Sequence, residues 1–248
     1  MIVQYEQARE NLKGENIVVT SQVRMKELTF APEPKPIIST EPITLHDIIL
    51  YNAKDKPLHR YKKVTVSGES IRTATGYLKK TQDNWTAYFA DKREKLISLP
   101  LLYAVLERLV DESHPALAGL AKDFRDSWLC TSTRINYGSD TIIHNYGTSS
   151  AETLRCHLPE SDTMENLKEK NTGKDALRAL LMAQEVDKAE EILQKVCDVE
   201  PYLWTPPADS RRSIPERAAF VYANADRLFL SCYLIYYHGR ARSVVVEA

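Results

Sequence analysis

Glycine and cysteine are both scarce in this chain, and neither falls in a pattern that carries chemistry. Eight glycines in 248 residues leave no G-x-G-x-x-G and no G-x-x-x-x-G-K, so the backbone cradles that hold nucleotide phosphates are missing. The four cysteines, Cys130, Cys156, Cys197 and Cys232, are widely spaced, with no C-x-x-C pair and no short Cys/His cluster. That gives a zinc site no support, and four buried thiols are the plain expectation. Cys156 and His157 are adjacent, but neighbours in a strand point to opposite faces, which speaks against a Cys/His nucleophile. There is no run of about 18 apolar residues. Met1 to Glu10 carries Gln4, Glu6, Gln7, Arg9 and Glu10 in place of a signal peptide's apolar block. The expectation is a cytoplasmic protein with no membrane partner, no cofactor and no metal.

A hydrophobic content of 43% is enough for a real core. The net charge of −1 conceals a segregation: residues 54–95 hold 11 Lys/Arg against 5 Asp/Glu, and residues 160–200 hold 6 against 11. The two stretches cannot share a partner. The basic one is interleaved with Tyr61, Tyr77, Trp85, Tyr88 and Phe89, which suits a surface that pairs phosphates and stacks bases, or else a solvated face over core aromatics.

Within it, Lys62-Lys63-Val64-Thr65-Val66-Ser67-Gly68-Glu69-Ser70-Ile71-Arg72 reads as a basic half-buried strand running into a Ser-Gly turn and a helix start. Ser67 or Ser70 would cap free amides there, where phosphate is favoured. Elsewhere, Asn16 to Arg24 reads as a strand and residues 31–36 as an extended proline-rich connection. Residues 42–51 read as a short helix, with Thr44 as cap and Leu45, Ile48 and Ile49 at helical spacing. Residues 98–128 form a helical hairpin broken at Pro115, and residues 129–137 and 141–146 form a β-hairpin. A second helical pair lies within residues 174–197, with Asp187 as a cap. Three further strands follow, over 218–222, 228–237 and 243–246.

Two segments together resemble the RAMP superfamily, the RNA-binding proteins of CRISPR effector complexes. Asn16 to Arg24 followed by residues 42–51 is similar to the first strand and helix of such proteins. Val64 to Arg72 is similar to their SGxS(I/L)(R/K) strand-to-helix turn. The resemblance covers about a fifth of the chain, and only Gly239, within residues 237–243, stands where those proteins carry a glycine-rich loop. It implies a ferredoxin- or RRM-like sheet and a turn lying against the backbone of a guide RNA. It also favours the family's non-catalytic members over its RNA-processing ones.

The expectation is therefore a single α+β domain, residues 1–248, with a mixed or antiparallel ferredoxin- or RRM-like sheet and two inserted helical hairpins. Its function would be that of a non-catalytic subunit of a ribonucleoprotein that grips RNA, with other protein subunits as neighbours. Lys62, Lys63, Ser67, Ser70 and Arg72 would hold phosphates, Arg211, Arg212, Arg240 and Arg242 would extend the track, and Tyr77 or Trp85 would stack a base. Trp204 reads as core or as an anchor for the Pro206-Pro207 turn. A second possibility is a small-molecule hydrolase or transferase with its pocket at the 131–146 hairpin, Arg134 holding an anion and His144 acting as base. The same polar cluster, Thr131 to Arg134 with His144, also reads as cross-strand structure. A third is a scaffold that binds proteins through its helices.

Overall fold

Alternation of apolar residues sets the first described hairpin. The computed structural model describes residues 41–52 and 56–247; the expected strand over 16–24 and connection over 31–36 lie outside them. Strand β1 (Ile43–Tyr51) pairs antiparallel with β2 (Pro57–Val66), bringing Leu45 opposite Val64 and Ile43 opposite Val66. The helix expected over 42–51 is thus a strand. Ile43 and Leu45 are buried before Asp47, Ile48 and Leu50 after it, and Asp47 sits in the left-handed region at φ 55°. This switch of buried face opens a three-residue gap between Leu45 and Ile48 that imitates helical spacing.

After β2 the chain does not enter a helix. It makes the small β3 (Arg72–Thr73) and β4 (Gly76–Tyr77) ladder, and only then α1 (Gln82–Phe89), capped by the Thr81 hydroxyl. A short β5 (Lys95–Leu96) follows, and then the expected pattern: α2 (Leu99–Asp111), α3 (Ala116–Asp126), β6 (Leu129–Asn136) and β7 (Thr141–His144). Pro115 stands as the cap of α3 rather than its first residue. Next come β8 (Glu152–Arg155), β9 (Asp162–Thr163), α4 (Met164–Lys168), α5 (Asn171–Leu181) and α6 (Val186–Cys197). Glu185 occupies the cap of α6 without a side-chain bond, and Asp187 lies in its first turn. The tail holds β10 (Glu200–Trp204), α7 (Ala208–Ser213), β11 (Glu216–Ala223), β12 (Arg227–Leu234) and β13 (Ser243–Glu247).

The architecture is α+β. One sheet has the order β1-β2-β13-β5; the larger has the order β8-β7-β6-β11-β12-β10-β9, antiparallel except for the β10–β12 pair. Of the three strands expected at the tail, β11 and β12 join the larger sheet and β13 the smaller. The helices bury Leu102, Leu106, Leu120, Phe124, Leu177, Leu180, Ile192 and Leu193 against Leu203, Leu228, Leu230 and Val221 of the sheet in one main core. A second, smaller core forms where α1 lays Trp85 and Phe89 over Phe220, Cys130 and Ala241. No helix among the described residues is long and apolar enough to cross a membrane.

Candidate functional site

The residues of the expected phosphate cradle turn inward. Ser67 lies against the start of β13: its amide donates to the Ser243 carbonyl at 2.9 Å, and its hydroxyl accepts from the Ser243 amide at 3.1 Å. Arg242 donates to the Ser67 carbonyl at 2.7 Å and, through Nε and Nη2, to Asp123 Oδ2 of α3 at 2.9 and 2.8 Å. Ser70 donates its hydroxyl to the same carboxylate oxygen at 2.7 Å. All four side chains are buried. Burial lowers the Arg242 pKa from the usual guanidinium value while Asp123 opposes the shift. The Ser-Gly turn is therefore a clamp between β2, β13 and α3. Its central acid, Asp123, has no sequence motif to announce it.

The other expected cations divide. Lys62 is exposed; Lys63 points to the opposite side of β2 and lies 3.4 Å from Glu247 on β13. Arg72 contacts Glu69 at 3.4 Å, and Arg212 is 80% exposed, 3.8 Å from Asp209. Arg211 is spent on its own chain, donating to the carbonyls of Leu158, Pro159 and Pro206 and to the Thr205 hydroxyl. Arg240 stacks on Tyr77 at 3.8 Å, with Asp126 at 3.9 Å, beyond hydrogen-bond range. Trp85, one of the two expected stacking aromatics, is fully buried and donates to the Gly239 carbonyl at 2.8 Å; the other, Tyr77, lies beneath Arg240.

The alternative pocket at the 131–146 hairpin is also built as structure. Gln82 donates to the carbonyls of Thr131 and Thr133 at 2.7 and 2.9 Å and accepts from Arg134 Nε at 2.9 Å. Arg134 also pairs with Asp83 and Glu216 and lies 3.6 Å from the Tyr146 ring. His144 is 1% exposed, with Nε2 2.9 Å from the Ala179 carbonyl and Nδ1 3.0 Å from the Thr133 hydroxyl. A carbonyl can only accept, so Nε2 carries the hydrogen and Nδ1 accepts from Thr133. Burial pushes the His144 pKa down to about 4, the opposite of what a base poised near neutral pH needs. Cys156 is half-buried, not buried as expected, and its thiol is pushed up to about 11 by burial and by Asp175 and Asp140. The described residues contain no group of three His, Cys, Asp or Glu placed to hold a metal.

What the larger sheet offers instead is an aromatic face. The register puts Tyr202 of β10 opposite Phe229 of β12, and Phe229 opposite Tyr222 of β11, while Trp128, just before β6, stacks on Tyr222. The ring centroids run across the sheet at 5.6, 6.2 and 4.9 Å. Trp204 and Tyr233 make a second row, 5.3 Å apart, and Tyr233 reaches Trp128 at 5.4 Å. All six rings are half-buried. The alternate residues Leu203, Leu228, Leu230 and Val221 enter the main core, where α4 and α6 also meet β10. Arg227 lies over the Tyr202 ring at 4.4 Å and 3.4 Å from Glu200. The signal was present as a period of two, aromatic residues at 202 and 204 and at 229 and 233 alternating with leucine. The expected strands over 218–222 and 228–237 cover β11 and β12, but β10 is not among the expected strands, and the expected site lies in the basic stretch instead.

Comparison of the chain with protein-family models, with curated proteins and with solved structures returns no match.

Proposed function

We propose that the chain binds single-stranded RNA, as a non-catalytic subunit of a ribonucleoprotein, with the aromatic face of the larger sheet as its stacking surface. The row Trp128–Tyr222–Phe229–Tyr202 carries this reading. Rings spread over neighbouring strands, backed by a rigid core, offer a partly exposed aromatic surface to unstacked bases, and stacking of bases on aromatic side chains is sequence-tolerant. RRM sheets use a face in this way; the RAMP resemblance implies such a core, but the RNA contact it implies is the turn after β2, whose serines bond their own chain here. Arg227, stacked on Tyr202 at the end of the row, is a cation on this face that could meet a passing phosphate.

Fluorescence anisotropy of a labelled oligouridylate, measured across a salt series, tests the proposal. Phe229→Ala should weaken binding by about 1–3 kcal/mol, roughly 5- to 150-fold. Arg227→Ala should reduce the salt slope by about one unit if it holds one phosphate. Binding that is absent in the wild type, or unchanged in Phe229→Ala, refutes it. If the same substitution instead abolishes a protein complex that forms without RNA, the face is a protein-docking surface, whose Tyr, Trp and Arg content would also suit one.

A further inference from the structure

The row of rings ends in a contact that already occupies it. Tyr202, its last member, has the Arg227 guanidinium over its ring, 4.4 Å from the centroid. An aromatic partner packs with its centroid about 4.5–7 Å from that of the ring it meets, so on that side of Tyr202 the guanidinium stands where a base would go.

Both parts of Arg227 are held. Its backbone is fixed in the turn between β11 and β12: its amide donates to Asn224 Oδ1 at 2.8 Å, and its carbonyl accepts from the Asn224 amide at 3.0 Å. Only the side chain is left to move. Glu200 stands opposite it in the parallel β10–β12 pair, with Oε2 3.4 Å from Arg227 Nε. Among the described residues no other carboxylate lies within ion-pair distance of this guanidinium. The two side chains are 42% and 46% exposed, so the pair is a surface one, and surface pairs contribute little. Its separation is also longer than the roughly 2.7–3.2 Å of an N–H···O bond. A phosphate can take two parallel bonds from an arginine, which this carboxylate does not.

We propose, on the reading of this face as an RNA surface, that Glu200 is a positioning residue that holds Arg227 across Tyr202 in the free protein, and that an RNA phosphate draws the guanidinium off the ring and opens Tyr202 to a base. Phosphate and base are then gained together at this end of the row, and a nucleoside without a phosphate finds Tyr202 covered.

Dissociation constants for a labelled oligouridylate, measured at one salt concentration in a double-mutant cycle of Glu200→Gln and Arg227→Ala, test the coupling. Both side chains are about half exposed, so the variants should fold, with urea midpoints close to that of the wild type. Glu200→Gln should tighten binding by about two- to fivefold, the factor an exposed ion pair contributes. In the Arg227→Ala background the same substitution should change nothing, because Glu200 acts through Arg227. Equal tightening in both backgrounds would show that Glu200 merely repels the RNA. That result overturns the proposal and leaves the aromatic face standing, as does binding that Phe229→Ala weakens but Glu200→Gln leaves unchanged or weakens. A wild type that binds no RNA overturns both.

Discussion

Acidification should destabilise this fold through His144 in a way that can be isolated. The imidazole is sealed between the Thr133 hydroxyl and the Ala179 carbonyl, and its pKa is about 4 in the folded state against an ordinary value of 6.5. The sign follows from which state takes the proton. Between pH 6.5 and 4 the unfolded chain protonates this histidine and the folded chain does not, so stability is full above about pH 6.5 and is lost as pH falls. At about 1.4 kcal/mol per unit the loss is on the order of 3 kcal/mol by pH 4. Carboxylates titrate in part of this range, so the measurement is a difference. Urea unfolding midpoints are recorded from pH 7.5 to 4 for the wild type and for His144→Gln, whose amide still donates to Ala179. His144→Gln should be less stable at neutral pH, because Thr133 loses its acceptor, and should have the flatter pH dependence. Parallel curves would refute the description of His144 as a buried neutral donor and would reopen its candidacy as a base.

Two further outcomes test the scaffold. Asp123→Ala leaves the Arg242 guanidinium buried without its carboxylate and should cost about 3–5 kcal/mol in chemical denaturation, while the apolar pair Asp123→Leu with Arg242→Met should recover much of that loss. Gly173→Ala should destabilise α5 by about 1–3 kcal/mol despite alanine's better helix propensity, because its Cβ would stand 2.1 Å from the Leu167 carbonyl oxygen; a stabilised variant would contradict that packing.

The pattern of elements was readable wherever one physical cause dominated. The leucines of α2, the alanine and leucine stripes of α5 and α6, and the hairpin around Gly138-Ser139-Asp140 each follow from a single periodicity and a local turn. The 42–51 strand was misread because the change of face at Asp47 is a backbone event, and a change from odd to even burial looks like helical spacing in one dimension. The site failed for a different reason. Lys62 to Arg72 is a basic run in sequence, but whether Ser67 and Ser70 meet a ligand or their own chain depends on Arg242 and Asp123, 175 residues from Ser67 and 53 from Ser70. Sequence spacing contains no term for such partners. The aromatic face is likewise assembled across β6, β11, β12 and β10, so its rings are separated by up to about a hundred positions while lying about 5 to 6 Å apart.

Tryptophan fluorescence reports on the proposed stacking surface most directly. Two of the three tryptophans, Trp128 and Trp204, lie on that face, and the third, Trp85, is sealed in the second core. Titration with an oligouridylate should quench emission saturably, with the midpoint shifted to higher concentration by Phe229→Ala. Emission that stays constant, after correction for absorbance, while the RNA is bound elsewhere or not at all would contradict the account.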